Sequence, residues 1–207
     1  MYHNGIGVVG KNLGIYGGAG YVLIGAGGHA RGVVEAADKI LGEIKFYIDS
    51  QRCPWLQCGQ IESDTEEFDK KIPIVIGLGG VQVKQLKKRL DILQTFLSKG
   101  YTAPPIIHSK AIVSDTANIG LGVVILAGAI IQPGVKVGKG TIINSGSIVE
   151  HDCSIGEGVH VAPGAVILGQ SIIGDCSMIG ASSVTLPRSK IDDDSLIPAL
   201  TRYPHKK

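Results

Sequence analysis

From Val113 onward an aliphatic residue stands at every sixth position: Val113, Ile119, Ile125, Ile131, Val137, Ile143, Val149, Ile155, Val161, Ile167, Ile173 and Ile179. Two residues before each comes a small or short side chain, from Ala111, Ala117 and Val123 through Thr141, Ser147 and Cys153 to Ser171 and Ser177. Glycine follows three residues after many of them, at 122, 128, 134, 140, 146, 158 and 164. A helix repeats its apolar positions every ~3.6 residues and a one-sided strand every second residue, so a period of six is neither alone. Side chains two apart in a strand share a face, which turns the aliphatic and the small residue inward together, and glycine then lets the chain bend. Short strands and turns repeated without a break predict a coiled parallel β-helix, with three hexads, about eighteen residues, per coil.

Ahead of the repeats the pattern changes. Tyr21–Ile24 reads as a buried strand, Gly25-Ala26-Gly27-Gly28-His29 as a glycine turn, and Val33, Val34, Ala37 and Leu41 as one face of a helix. Ile44–Ile48 is a second strand ending at Asp49, and Ile72–Ile76 a third ending in Gly77-Leu78-Gly79-Gly80. Val83, Leu86, Leu90, Leu93 and Leu97 mark a second helix. The stretch Gln51–Lys71, with its run of charges, reads as a solvated loop or helix face, and Lys84, Lys87, Lys88 and Arg89 as the polar side of that helix, serving solubility, with phosphate binding as the alternative. The expected fold is therefore an α/β half-Rossmann domain followed by an all-β parallel β-helix. Its divisions are a Gly-rich flexible leader over 1–20, a βαβ domain over 21–105, the β-helix over 106–200 and a tail over 201–207.

Glycines between a strand and a helix let backbone approach a ligand, and the helix N-terminus beyond them offers free N–H groups and a positive dipole end to a phosphate. Gly25-x-Gly27-x-x-Ala30, with Asp49 further on, matches the outline of a dinucleotide fingerprint. A tight turn without a ligand explains the same letters. With three or four strands the unit suits a mononucleotide or a nucleotide-linked sugar better than NAD.

Composition narrows the partners. The chain has 207 residues, 44% of them apolar, enough for one or two folded domains. A net charge of +2 lacks the basic patch expected for nucleic acid or a membrane surface. No apolar run reaches the roughly 18 residues of a spanning helix, and residues 1–20 lack the plan of a signal peptide. Cys53, Cys58, Cys153 and Cys176 show no CxxC spacing and read as reduced thiols of a cytoplasmic protein. A zinc site on Cys53 and Cys58 would lack further nearby ligands.

Valine, isoleucine and glycine are inert, so chemistry belongs where the repeat admits other residues. The clearest place is Asn144-Ser145-Gly146-Ser147-Ile148-Val149-Glu150-His151-Asp152, followed by His160 within Gly158-Val159-His160-Val161-Ala162-Pro163-Gly164. Imidazole titrates near neutrality and can accept a proton there, and an adjoining carboxylate can orient the ring. A surface histidine on a turn is the plainer alternative.

GAGGHARGVVE, FYIDS, IHSKAIVS, NSGSIVEHD and GVHVAPGAVILG together resemble the nucleotide-sugar acetyltransferases of the hexapeptide-repeat superfamily, over about residues 21–190. That group includes bacillosamine-pathway and perosamine-type amino-sugar N-acetyltransferases and the related sialic acid O-acetyltransferases. The resemblance implies left-handed coils, acetyl-CoA as co-substrate, no metal, and a place in surface-polysaccharide or glycan biosynthesis. It further implies His151 as general base, Asp152 as its orienting acid, and the Gly169 N–H as a donor to the thioester oxyanion. His160 would lie near the acetyl donor, and Gly25, Gly27, Gly28, His29 and Asp49 would bind the nucleotide sugar, with Asn144 beside them. The family's Gly-x-Pro-Ala ending is not matched by Ser195-Leu196-Ile197-Pro198-Ala199-Leu200, which lacks the glycine.

The function expected is acetyl transfer to the 4-amino group of a nucleotide-linked deoxy-aminosugar; O-acetylation of a sugar and a non-catalytic nucleotide-sugar-binding scaffold are the alternatives. A metal-dependent hydratase on the same prism would want three histidines close together, and only His151 and His160 lie inside the coils. These two are nine residues apart (160 − 151), about half a coil, and so fall on different sides of one prism. Both serve one site only across a subunit boundary, which predicts a cyclic homotrimer with sites between prisms.

Overall fold

The computed structural model describes residues 20–63 and 65–204. The leader expected over 1–20, Gly20 apart, and the last three residues of the tail lie outside the described residues.

The first unit is built on β1 (Tyr21–Ile24), α1 (Gly28–Leu41), β2 (Ile44–Ile48), β3 (Gly59–Ile61), β4 (Ile74–Ile76) and α2 (Val83–Ser98). The four strands form one parallel sheet in the order β3-β2-β1-β4. All of β1 is buried, because a parallel sheet with a helix on each face leaves its central strand no wet side. Alternation then divides it: Tyr21 and Leu23 pack with Ala30, Val33 and Leu41 of α1, while Val22 and Ile24 pack with Leu93 and Phe96 of α2. Strand β3 lies inside the stretch that the sequence suggests is a loop. It is three residues long, opens on an exposed glycine and has no fully buried position, so its pattern is too weak to read.

The second unit is the β-helix. Three parallel sheets of five, six and six two-residue strands run from Ile106–Ile107 to Arg202–Tyr203. Each strand pairs with the one a coil later, as Ile142 with His160 and Ile148 with Val166. Every sixth residue from Ile119 to Ile179 points into the prism and is at most 4% exposed. The coil continues past that run through Thr185, Ile191 and Ile197, and takes in Arg202 and Tyr203, which the sequence reading leaves to the tail. Polar members of the small-residue column are tolerated inside because their hydroxyls find corner carbonyls. Thr141 donates to Gly156 O at 2.8 Å, Ser147 to Asn144 O at 2.7 Å and Ser183 to Gly180 O at 2.7 Å.

Each corner of the prism passes through left-handed backbone. Glycine meets that need in the early coils; later the same corners carry Asp152, Gln170, Cys176, Ser182, Arg188, Asp194 and Leu200 at φ between 53° and 61°. Holding a side-chain-bearing residue there costs about 1 kcal/mol or more.

The three faces differ. The first presents Ile106, Val124, Ile142, His160 and Met178 and is covered by the N-terminal unit, with Val124 and Leu126 packed beneath α1. The second presents Asn118, Lys136, Ser154, Ile172 and Lys190. The third presents Ile112, Ile130, Ile148, Val166 and Val184, one above another, and none of the buried clusters takes them in. Helix α2 lies along the corner between the first two faces. A Cβ on Gly122 would strike Leu93, one on Gly140 would meet Leu93 and Leu90, and one on Gly158 would meet Leu90, so the glycines form the groove in which the helix sits. Lys87 closes the groove at Asp194 with a 2.6 Å ion pair.

Candidate active site

The carboxyl ends of β1, β2 and β4 open onto a cleft of about 260 Å³. It lies where the strand order reverses, between β1 and β4, the place where open parallel sheets accept ligands. Gly25 (φ 84°) turns the chain there, and any side chain on it would collide with Leu78. Asp49, at the end of β2, accepts from the Ala26 N–H at 2.9 Å and the Gln51 N–H at 3.0 Å. Ala26 O in turn accepts from Trp55 Nε1 at 3.0 Å and Cys53 Sγ at 2.9 Å. The acid expected to touch a ligand therefore also shapes the loop that would hold it.

Gly27 and Gly28 are different. Neither has left-handed backbone, and a Cβ on either would meet nothing within 4 Å. The fold does not require glycine there; what its absence of a side chain leaves is open access to the first turn of α1. That turn has no side-chain cap and no acidic residue, so its N–H groups and dipole are available to an anion.

Two residues of the cleft were not legible in the sequence. Lys88 and Glu62 both line it. Lys88 belongs to a run of similar lysines, and only the docking of α2 separates it from Lys87, which is spent on Asp194.

His29, Asn144 and His160 do not line this cleft; they gather at Gly79 and Gly80, just past Leu78. His160 is 5% exposed, on the covered face of the prism. The Asn144 amide is oriented by Ser145, whose N–H donates to Oδ1 at 2.8 Å, so Nδ2 donates to His160 Nε2 at 3.0 Å. His160 Nδ1–H then donates to Gly80 O at 2.6 Å. Both ring nitrogens are thus engaged within the chain. His29 lies next to it, with ring centroids 6.4 Å apart and its Nε2 buried without a partner among the described residues. Burial, reinforced by Arg89 and His160, lowers His29 to about 4. Burial also lowers His160, with Arg89 adding to it and the Gly80 bond opposing.

Both imidazoles are held below their unfolded value of about 6.5, so the folded state favours their neutral forms. Their contribution to stability is complete above about pH 6.5 and is lost as the pH falls toward 4. Thermal melts should show a falling Tm across that window, less steep in a His29→Leu variant; equal slopes in the two proteins would contradict it.

His151 and Asp152 lie elsewhere, at the corner between the apolar and the polar face. His151 Nδ1–H donates to Asp152 Oδ2 at 3.0 Å, which leaves Nε2 as the acceptor nitrogen. Nε2 stands directly over Gly169, where a Cβ would come within 2.6 Å of it. His151, Gly169, Gln170 and Arg188 line a second, separate cleft on this corner, with Arg188 Nε donating to Gln170 Oε1 at 2.9 Å. Asp152, Gln170 and Arg188 occupy successive left-handed positions of this one corner, so it gives up glycine earliest of the three. The sequence places Asn144 and His151 in one stretch, but the coil carries them to opposite edges of the apolar face. Among the described residues no group of three His, Cys, Asp or Glu side chains is placed to hold a metal ion, and no helix is long and apolar enough to cross a membrane.

The profile of the bacterial transferase hexapeptide (six repeats) family matches residues 134–169 and 152–187. That stretch lies wholly within the coils, which carry the repeats this family model describes. Among solved structures the chain is similar to the acetyltransferase domain of PglB from Neisseria gonorrhoeae FA1090 in complex with acetyl coenzyme A. The two share 28% identity over 88% of this chain and 89% of that one, with a TM-score of 0.80. A variant of perosamine N-acetyltransferase from Caulobacter crescentus, bound to CoA and GDP-perosamine, shares the fold at 22% identity. That match covers 89% of this chain and 91% of that one, with a TM-score of 0.76. No curated protein sequence matches significantly.

Proposed function

We propose that the protein transfers acetyl from acetyl-CoA to the 4-amino group of a nucleotide-linked deoxy-aminosugar. The observation that carries this reading is the pairing of two features: an anion-ready cleft in the first unit, and a histidine on the coil oriented by a carboxylate with its free nitrogen over a glycine. The PglB domain, bound to acetyl coenzyme A, supports the choice of donor. The N-acetyltransferase bound to CoA and GDP-perosamine has this fold.

In this mechanism Gly27, Gly28 and the first turn of α1 hold the diphosphate, and Gly25 and Asp49 shape the nucleoside cleft beside it. The sugar amine attacks the thioester carbonyl. His151 Nε2 takes the proton that the amine loses, and Asp152 stabilises the imidazolium through Nδ1–H. The Gly169 N–H offers a bond to the developing oxyanion, a contribution of typically a few kcal/mol. Formation of the C–N bond gives the tetrahedral oxyanion; its collapse breaks the C–S bond, and the proton on His151 passes to the departing thiolate.

The two halves of this site stand at opposite edges of the apolar face of one prism. Ile130, Ile148, Val166 and Val184 make that face fit for a second copy, and a closed ring of three brings the His151 edge of one chain to the Asn144 edge of the next. The reading places the enzyme in the cytoplasm, in keeping with its four free cysteines. Sedimentation should give a trimer; a catalytically competent monomer would overturn the shared site.

The deciding assay is thiol release from acetyl-CoA with UDP-, dTDP- and GDP-linked 4-amino sugars. Turnover with one of them is expected. Turnover only with hydroxyl acceptors would make the protein an O-acetyltransferase, and nucleotide-sugar binding without thiol release would make it a binding module.

A further inference from the structure

Where α2 meets the coil and the turn after β4, one buried charge takes no part in the reaction above. Arg89 is 1% exposed. Its Nε donates to Leu78 O at 2.8 Å, and neither Nη1 nor Nη2 has a partner among the described residues. Gly140 makes room for the group, since a Cβ there would stand 3.3 Å from Nη1. Burial lowers Arg89 to about 9, which still leaves it charged at neutral pH. A buried cation without a carboxylate is costly, and an apolar side chain of similar volume usually fills such a place at no loss of stability. Packing alone does not account for it.

The bond to Leu78 fixes the start of a three-residue turn whose members touch three different parts of the proposed site. Leu78 crosses Gly25 and lines the cleft. Gly79 lies against His29, where a Cβ would come within 3.0 Å of the histidine's own Cβ. Gly80 O takes the bond from His160, which holds Asn144. We infer that Arg89 is a positioning residue that couples the nucleotide cleft to the Asn144–His160 edge of the coil by holding the Leu78–Gly80 turn against both.

Its charge serves the same arrangement. His29 faces Arg89 from α2 and His160 from the coil; His160 faces Arg89, the Gly80 carbonyl and the Asn144 amide. No carboxylate acts on either ring among the described residues. Protonated His160 would present a donor to the Asn144 amide donor and break that link, and a fixed positive charge nearby opposes protonation.

The inference rests on the proposed reaction for its kinetic readout, but the two histidine titrations, followed by NMR of the ring protons, need no turnover. In Arg89→Met the fold should persist with Tm unchanged or raised. The His29 and His160 midpoints should move up, and kcat/KM for the sugar nucleotide should fall about 10- to 100-fold, with its acid limb at higher pH. Arg89→Lys keeps a charge but loses the planar Nε donor, so it should titrate like wild type while kcat/KM stays low. Wild-type titrations together with wild-type kcat/KM in Arg89→Met would overturn the inference. If Arg89→Met does not fold, Arg89→Lys decides: wild-type kcat/KM in that variant would overturn it equally. A wild-type enzyme inactive on every sugar nucleotide would instead defeat the proposed reaction; the coupling would then be read from the Gly79 and Gly80 amide resonances, displaced in both variants if it holds and unmoved in both if it fails.

Discussion

His151→Ala should lower acetyl transfer by about 10²–10⁴-fold, the usual contribution of a general base, with no change in Tm. The side chain is more than half exposed and is hydrogen-bonded to an equally exposed Asp152, so its removal opens no cavity and strands no buried group. The loss should fall on kcat, because the contact with the amine proton strengthens as the bond to carbon forms. Asp152→Asn should cost less: the amide can still meet Nδ1, but it no longer offsets the charge the ring acquires. Thiol-release kinetics beside a thermal melt separate the two variants. Unchanged kcat in His151→Ala would remove this residue from the mechanism.

Ile143→Asp should abolish folding of the coil. Ile143 is 0% exposed, with neighbours one coil below and above at Ile125 and Val161. Losing its burial costs about 1.5–3 kcal/mol. The replacement also puts a carboxylate where no donor can reach it, at a cost of several kcal/mol more. Against a whole-domain stability of about 5–15 kcal/mol, that is decisive. Ile148→Asp is the contrasting change. Its side chain points outward from the apolar face, so the coil should keep its circular dichroism while the proposed trimer gives way to monomer in sedimentation. A folded, soluble Ile143→Asp protein would mean that the inward column does not carry the prism.

The coil was legible in the sequence because each two-residue strand contributes one inward position, and that position recurs every six residues without a gap up to Ile179. The expected span of 106–200 takes in Thr185, although a hydroxyl at that inward place interrupts the aliphatic column; the strand at Arg202 and Tyr203, beyond that span, was not legible. The glycine turn after β1 showed itself through composition. The roles of its members did not separate until their surroundings were known, with Gly25 forced by Leu78 and Gly27 and Gly28 forced by nothing in the chain. Asn144 and His160 differ by two residues from a full coil (160 − 144 = 16), so the period brings them to one corner. Their bond could have been anticipated by the same arithmetic that separates His151 from His160. Arg89 could not: its place among lysines on a polar-looking helix says nothing about burial, which depends on how α2 settles into the glycine corner.

That corner sets a limit on how such a protein can lengthen. A helix advances about 5.4 Å per turn and stacked strands about 4.8 Å per layer, so side chains one turn apart run ahead of the coils by only ~0.6 Å at each step. Leu93 meets the corner at Gly122 and Gly140, Leu90 meets it at Gly140 and Gly158, and the long Lys87 side chain reaches on to Asp194. Inserting one eighteen-residue coil between Gly140 and Gly158 would displace every later contact of α2 by a whole layer. Coils added beyond Asp194 would displace none. The helix works as a gauge: it fixes the number of layers beneath it and leaves growth to the far end.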